Sequence, residues 1–328
     1  MKKKVLLYKR IPEQPLQRLK NLFEVSFFDG INESNKSAFL DALAEAEGLI
    51  GASTNMSSDI LGQAPRLKAA STISVGTDQY DLPYLSSRNI PLMHTANVLN
   101  DTTADTIFAL IMCTARRAVE LANMVKEGRW NRSIDETLFG IDVHGKTLGI
   151  IGMGRIGYAL AKRAHLGFDM PIQYCNRNQR EDAERDFNAS YVDMESLLKT
   201  SDFICVLTPL TEETKGLVGE NEFAMMKNSA IFINASRGKV IDEAALINAL
   251  SQGVIRAAGL DVFEIEPLPA DSPLRNLDNA VLFPHIGSAT TETRLKMVNC
   301  AIDNLVHALD GDISKNCANK KQLNTTKQ

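Results

Sequence analysis

The chain of 328 residues has no apolar run long enough to cross a bilayer. It opens on the basic Met1-Lys2-Lys3-Lys4, but the apolar stretch after it covers only residues 5–7, too short for a signal peptide or an anchor. A cytoplasmic location is therefore expected. An excess of one charge is also missing, with 36 lysines and arginines against 40 aspartates and glutamates and a net charge of −4. Neither nucleic acid nor an anionic membrane is an expected partner. Cysteine is sparse: Cys113, Cys175, Cys205, Cys300 and Cys317 are widely spaced and form no C-x-x-C pair. That pattern indicates neither a zinc site nor a disulfide framework, and no metal is expected. Cys113, Cys205 and Cys300 lie in apolar stretches and read as small buried hydrophobes. Tandem repeats and low-complexity segments are absent.

What is present is an alternation of short apolar runs with amphipathic stretches. The length is more than one core comfortably serves and predicts two domains. Candidate strands fall at residues 4–8, 25–28, 48–52, 69–74 and 92–95, then at 147–151, 171–175, 203–207, 230–234, 257–262 and 280–283. Strands alternating with helices give parallel sheets flanked by helices, an α/β fold. Between the two series, residues 102–127 hold no proline and no internal glycine and read as one long helix, with Asn100-Asp101-Thr102 as N-cap and Gly128 as stop. Trp130 is expected to pack at the end of that helix. A last helix is predicted at about 292–309, and the polar tail 316–328 is expected to fray.

Thr147-Leu148-Gly149-Ile150-Ile151 reads as a strand, Gly152-Met153-Gly154-Arg155-Ile156-Gly157 comes directly after it, and 158–165 reads as a helix. Isolated, G-x-G-x-x-G is weak evidence. Between a strand and a helix it has the context its mechanics require. Gly152 allows the tight turn, Gly154 lets the backbone approach a pyrophosphate, and Gly157 lets helix and strand pack closely. The helix N-terminus, at Arg155 and Ile156, then offers free N–H groups to phosphate. An NAD site normally has an acid about twenty residues further on, at the end of the next strand, to take the ribose hydroxyls. Here that strand ends in Asn176-Arg177-Asn178, with Arg180 close by. No carboxylate would repel a 2′-phosphate, and Arg177, with Arg180 as a second candidate, would attract one. The expected cofactor is NADPH rather than NADH.

Polar groups stand after three later strands: Ala235-Ser236-Arg237-Gly238, Glu264-Ile265-Glu266-Pro267 following the strand that carries Asp261 near its close, and His285-Ile286-Gly287-Ser288. In a parallel sheet these positions share one rim, where ligands bind. Reducing a 2-oxo acid needs a cation to hold the carboxylate and polarise the ketone, an acid to protonate the alkoxide, and a group to keep that acid protonated. Arg237, His285 and Glu266 supply these in turn, arginine through its planar fork and histidine through its titration near neutral pH. Glu264 competes with Glu266. Asp261 is expected near the nicotinamide amide, its alternative being to cap the loop after its strand. His94, His144, His165 and His307 show no partner pattern.

The chain resembles the D-isomer-specific 2-hydroxyacid dehydrogenase family over nearly its whole length. The stretches that carry the resemblance are Gly152-Met153-Gly154-Arg155-Ile156-Gly157, Asn234-Ala235-Ser236-Arg237-Gly238, the segment 259–267 and Pro284-His285-Ile286-Gly287-Ser288. The resemblance implies catalytic roles for the residues at Arg237, Glu266 and His285. It favours Glu266 over Glu264 by register. It also implies a cofactor lining that includes Thr208, Pro209, Ala235, Ser236, Asp261 and Gly287. Ser74-Val75-Gly76 resembles the family's substrate loop, so Val75 and Gly76, with Arg237 and His285, are the implied substrate-binding residues. Residues 71–76, 92–95, 144–156 and 285–290 are similar to members that reduce glyoxylate, hydroxypyruvate and 2-keto-aldonates such as 2-keto-D-gluconate with NADPH, as homodimers joined through the long helix. The implied architecture is two doubly wound domains. A flavodoxin-like substrate domain would take 1–100 plus 290–328, and a Rossmann cofactor domain would take 101–289, with a cleft between them. A non-catalytic dinucleotide-sensing scaffold on the same fold is the alternative; the complete Arg–Glu–His set argues against it.

Overall fold

The computed structural model describes residues 2–323. The chain forms two compact units, one running to Leu99 and resuming at Thr290, the other Asn100–Ala289.

The first unit is built on a parallel five-stranded sheet of β1 (Lys4–Leu7), β2 (Glu24–Phe27), β3 (Gly48–Gly51), β4 (Ala69–Thr72) and β5 (Leu92–Met93). Its order, β2-β1-β3-β4-β5, is the flavodoxin-like winding. β3 and β4 are buried throughout, so they read as unbroken apolar runs rather than alternating ones. Gly51 is required by packing, because a Cβ there would lie 2.6 Å from the ring of Tyr8. Helix Thr291–Leu309 crosses β3 and β4, where Ser71 Oγ donates to the Ala301 carbonyl (2.8 Å) and Leu305 and Leu309 rest on Gly48.

The end of this unit differs from the expectation of a frayed tail. Cys317 bridges antiparallel to Met93, and Ala318 N–H donates to the Leu92 carbonyl (2.8 Å). Asn319 is fully buried: its Oδ1 accepts from Leu92 N–H (2.9 Å), and its Nδ2 donates to Ile90 O (2.9 Å) and Ser86 Oγ (3.1 Å). A side-chain amide here does the work of a sixth strand's backbone, which polarity alone does not reveal. The rest of the expected tail, 324–328, lies outside the described residues.

The second unit holds a parallel seven-stranded sheet of β6 (Leu148–Ile151), β7 (Ile172–Cys175), β8 (Ser190–Tyr191), β9 (Phe203–Val206), β10 (Ile231–Asn234), β11 (Ala257–Leu260) and β12 (Ala280–Leu282). The order β12-β11-β10-β9-β6-β7-β8 is the Rossmann winding, with its switch point between β6 and β9. β8 has no apolar signal in the sequence because both its residues are exposed.

The long helix expected over 102–127 is two helices, Asn100–Ala115 and Ala118–Lys126. Arg117 between them is left-handed (φ 52°). The Ala115 carbonyl, instead of continuing the helix, accepts from Ile141 N–H (2.8 Å), and Gly140 makes room, since a Cβ there would meet that oxygen at 2.4 Å. The Arg117 guanidinium ties Glu120 to the Thr137 carbonyl. The first helix packs on β11, with Leu110 against Gly259; the second buries no side chain. Trp130 does not pack beyond it but stands 60% exposed. Of the cysteines expected inside, Cys205 is buried and Cys113 and Cys300 are only partly so. Among the described residues no helix is long and apolar enough to cross a membrane.

Replacing Asn319 with leucine strands the buried Leu92 N–H and Ile90 carbonyl. N319L is expected to lose about 2–4 kcal/mol of stability, measured as a lower urea midpoint. An unchanged midpoint would mean the segment contributes nothing to the first unit.

Candidate active site

Every strand of the second unit is parallel to its neighbours, so the residues after each strand collect on one rim. At the end of β6, Gly152 adopts φ +100°, and a Cβ there would lie 2.9 Å from the backbone of Leu207 and Thr208. The backbone just after β9 thus passes too close to the turn for any side chain. A Cβ at Gly157 would meet Gly152 O at 2.9 Å, whereas Gly154 faces open space. Gly154 also caps helix Arg155–Phe168, whose first N–H groups, at Arg155 and Ile156, point into that space. Beside it Thr208 Oγ1 is buried with no hydrogen-bond partner among the described residues, and Pro209 next to it is exposed. An open cradle of N–H groups and an orphaned hydroxyl fit the phosphates and sugar of a dinucleotide.

At the end of β7, Asn176 Nδ2 bonds Asn178 O (3.0 Å), and Asn176 O accepts from Tyr191 OH (2.9 Å). The two arginines there differ. Arg180 is committed inward: its fork pairs with Asp182 (2.9 and 2.7 Å), and its remaining nitrogen donates to Met153 O (2.8 Å) inside the glycine turn. It braces the turn through these contacts. Arg177 is 85% exposed, and its one ion pair among the described residues is a long contact to Glu213 at 3.8 Å.

After β10, Asn234 Oδ1 accepts from the N–H and hydroxyl of Ser236 and its Nδ2 donates to Arg237 O, which shapes the turn from Ala235 to Arg237. Gly238 then lies against Phe263; a Cβ there would fall 1.9 Å from the Phe263 carbonyl carbon. The loops after β10 and β11 are therefore in backbone contact. Phe263 N–H donates to Glu266 Oε1 (3.0 Å), and Glu266 Oε2 accepts from His285 Nδ1 (2.7 Å). Glu264 is exposed, and its backbone N–H donates to Glu243 Oε2 (2.9 Å). Because Nδ1 donates to a carboxylate, Nε2 is the ring nitrogen left for chemistry; it has no partner among the described residues.

His285 itself is left-handed (φ 54°). The next two residues are held by Asp261, whose oxygens accept from Ile286 N–H (2.7 Å) and Gly287 N–H (2.8 Å). Of the two readings the sequence left for Asp261, the loop cap is the contact present. The two carboxylates are shifted oppositely. Burial holds Asp261 above the usual aspartate range despite its two N–H donors. Burial also raises Glu266, but His285, the Phe263 N–H and the charge of Arg237 together outweigh it and hold Glu266 below its usual range. The second unit thus brings Arg237, Glu266, His285 and Asp261 to one place.

Val75 and Gly76 belong to the first unit, after β4. Ser74 Oγ donates to Gly76 O (2.5 Å) and Thr95 N–H to Ser74 O (2.8 Å). His94, which the sequence marked with no partner pattern, has its Nδ1 3.1 Å from Val75 O. Only the spatial contact reveals it.

Sheet order, glycine turn and open phosphate cradle define a nicotinamide-dinucleotide-binding domain, and comparison with known proteins agrees. Residues 108–287 match the family described as D-isomer specific 2-hydroxyacid dehydrogenase, NAD binding domain. Glyoxylate/hydroxypyruvate reductase B of Yersinia pestis (strain Pestoides F) is 54% identical over 325 residues, 99% of this chain and 100% of its own. A crystal structure of a Thermus thermophilus protein, 38% identical, superposes with a TM-score of 0.87 over 96% of this chain and 99% of its own. The NADPH-dependent glyoxylate/hydroxypyruvate reductase of Sinorhizobium meliloti, in complex with NADP and malonate, is 28% identical with a TM-score of 0.82, covering 94% and 93%. The chain belongs to the D-isomer specific 2-hydroxyacid dehydrogenase family and is an oxidoreductase of that class.

The lowered pKa of Glu266 has a stability consequence. Its native value lies below the ordinary 4.5, so its ionised form stabilises the fold above that pH, and the contribution is lost as pH falls through the native value. The urea-midpoint gap between wild type and E266Q is expected to be open at pH 7 and to close in acid. A gap that widens on acidification would contradict the assignment.

Proposed function

We propose that this chain reduces 2-oxo acids to 2-hydroxy acids with NADPH, taking glyoxylate and hydroxypyruvate as substrates and 2-keto-D-gluconate as a larger one. The observation that carries the reading is the His285–Glu266 pair at 2.7 Å, on the rim that also holds Arg237 and the glycine turn. When bound, the reduced dinucleotide supplies a hydride to the keto carbon. Arg237 pairs with the substrate carboxylate and draws electron density from the ketone through its fixed charge. His285 gives the proton on Nε2 to the developing alkoxide, which leaves the 2-hydroxy acid. Glu266 accepts from Nδ1–H and so orients the ring, leaving Nε2 to carry the transferred proton. The N–H groups of Val75 and Gly76 take the carboxylate from the first unit, which is the substrate domain in this reading.

NADPH is favoured by the missing acid after β7 and by Arg177, whose long, exposed contact with Glu213 is weak competition for a 2′-phosphate. A homodimer goes with this reading. Helix Ala118–Lys126 buries nothing, and Val119, Val125, Trp130, Ile134 and Phe139 are exposed near it in the chain, an apolar set that a second copy would cover. A cytoplasmic location goes with it too.

His285→Ala is expected to cut turnover by about 10²–10⁴-fold while NADPH binding stays near wild type, read by steady-state kinetics and fluorescence titration. Near-normal turnover would sink the assignment. Across a panel of 2-oxo acids with each cofactor, kcat/KM is expected to favour NADPH. In R177Q the KM for NADPH is expected to rise by about tenfold or more and that for NADH to stay put. A wild-type preference for NADH would refute the role given to Arg177.

A further inference from the structure

His94 takes no part in the chemistry above, yet its surroundings tie the far end of the chain to the loop proposed to bind the substrate carboxylate. Its backbone is fixed on both sides: its N–H donates to Asn316 O (2.9 Å), and its carbonyl accepts from Asn304 Nδ2 (3.0 Å). Asn316 Nδ2 bonds Asn304 Oδ1 (3.0 Å), so the two amides act as one clamp. Asn304 comes from helix Thr291–Leu309, and Asn316 lies in the segment that Asn319 fastens to β5. The clamp leaves the imidazole pointing at the Val75 carbonyl, 3.1 Å from Nδ1. A carbonyl only accepts, so Nδ1 must carry a proton.

The neighbours complete a pattern. Ser74 O is taken by Thr95 N–H, Val75 O by His94 and Gly76 O by the Ser74 hydroxyl. The N–H groups of Val75 and Gly76 have no acceptor among the described residues. A trans peptide N–H points opposite its own carbonyl, so with Ser74 O held by Thr95 and Val75 O held by His94, the Val75 and Gly76 N–H groups point away from those partners.

We infer that His94 is a positioning residue for substrate binding: its Nδ1–H holds the Val75 carbonyl so that the Val75 and Gly76 amides face the substrate carboxylate, and the Asn304–Asn316 clamp holds His94. The inference rests on the carboxylate-binding role proposed for that loop.

Two variants separate positioning from bulk. H94L removes the donor, whereas H94N keeps an N–H the same number of bonds from the backbone. With glyoxylate and NADPH, H94L is expected to raise the KM for glyoxylate by about tenfold or more, with kcat and the KM for NADPH changed by less than about threefold. H94N is expected to return the glyoxylate KM to within about threefold of wild type. An unchanged glyoxylate KM in H94L overturns the inference. So does a fall in kcat together with a rise in both KM values that H94N fails to restore, the mark of a structural role. A second arm needs no turnover: ¹⁵N spectra of the histidine rings, with H94N identifying the His94 signals, are expected to show Nδ1 protonated. A neutral ring protonated on Nε2 overturns the inference. If the wild type reduces no 2-oxo acid, the proposed function fails, and the tautomer decides whether the His94–Val75 bond exists.

Discussion

Two backbone N–H groups, those of Ile286 and Gly287, converge on the buried carboxylate of Asp261, and the geometry of the site depends on that grip. His285 sits one residue earlier in a left-handed conformation that an L-residue adopts only when its surroundings impose it. Asp261 imposes it by holding the two residues after it. The ring then meets Glu266, Glu266 is held by Phe263 N–H, and Phe263 presses on Gly238, beside Arg237. Three loops after three strands fix one another before any ligand arrives. Such preorganisation lets fixed charges act without rearrangement at the moment of reaction.

The two carboxylates in that chain of contacts divide the labour by environment. Asp261 is deep, its two donors are backbone N–H groups, His285 and Glu266 push it in opposite directions, and burial dominates it. Glu266 is half open to solvent and faces His285 and Arg237, so favourable partners dominate. Exchanging their surroundings would exchange their behaviour. Arg180 makes a similar point. Two of its nitrogens pair with Asp182 two residues on, and the third donates to Met153 O in the glycine turn, so its local carboxylate sets its orientation.

Most of the strands were legible because parallel strands covered on both faces are apolar runs bounded by turns. The rim residues were legible because each comes directly after such a run. Legibility failed where a tertiary contact overrode a local pattern. Nothing between 102 and 127 breaks a helix; the break comes from the 137–141 segment claiming the Ala115 carbonyl. Nothing in Asn316 to Asn319 looks like core, yet the buried amide of Asn319 replaces strand hydrogen bonds. Glu264 and Glu266 differ only in which one the loop turns toward His285. His94 looked idle because its partners come from residues 75, 304 and 316.

The way the first unit is closed has a bearing on how the protein is made. Its sheet comes from the first hundred residues, but the helix covering β3 and β4 and the asparagine securing β5 come from the last forty. The second unit is continuous in sequence and can complete its core while the ribosome is still at work. The stretch that leaves the ribosome first must wait, with β3 and β4 uncovered, for on the order of ten seconds or more at usual elongation rates. During that interval it is the part of the nascent chain most in need of a chaperone.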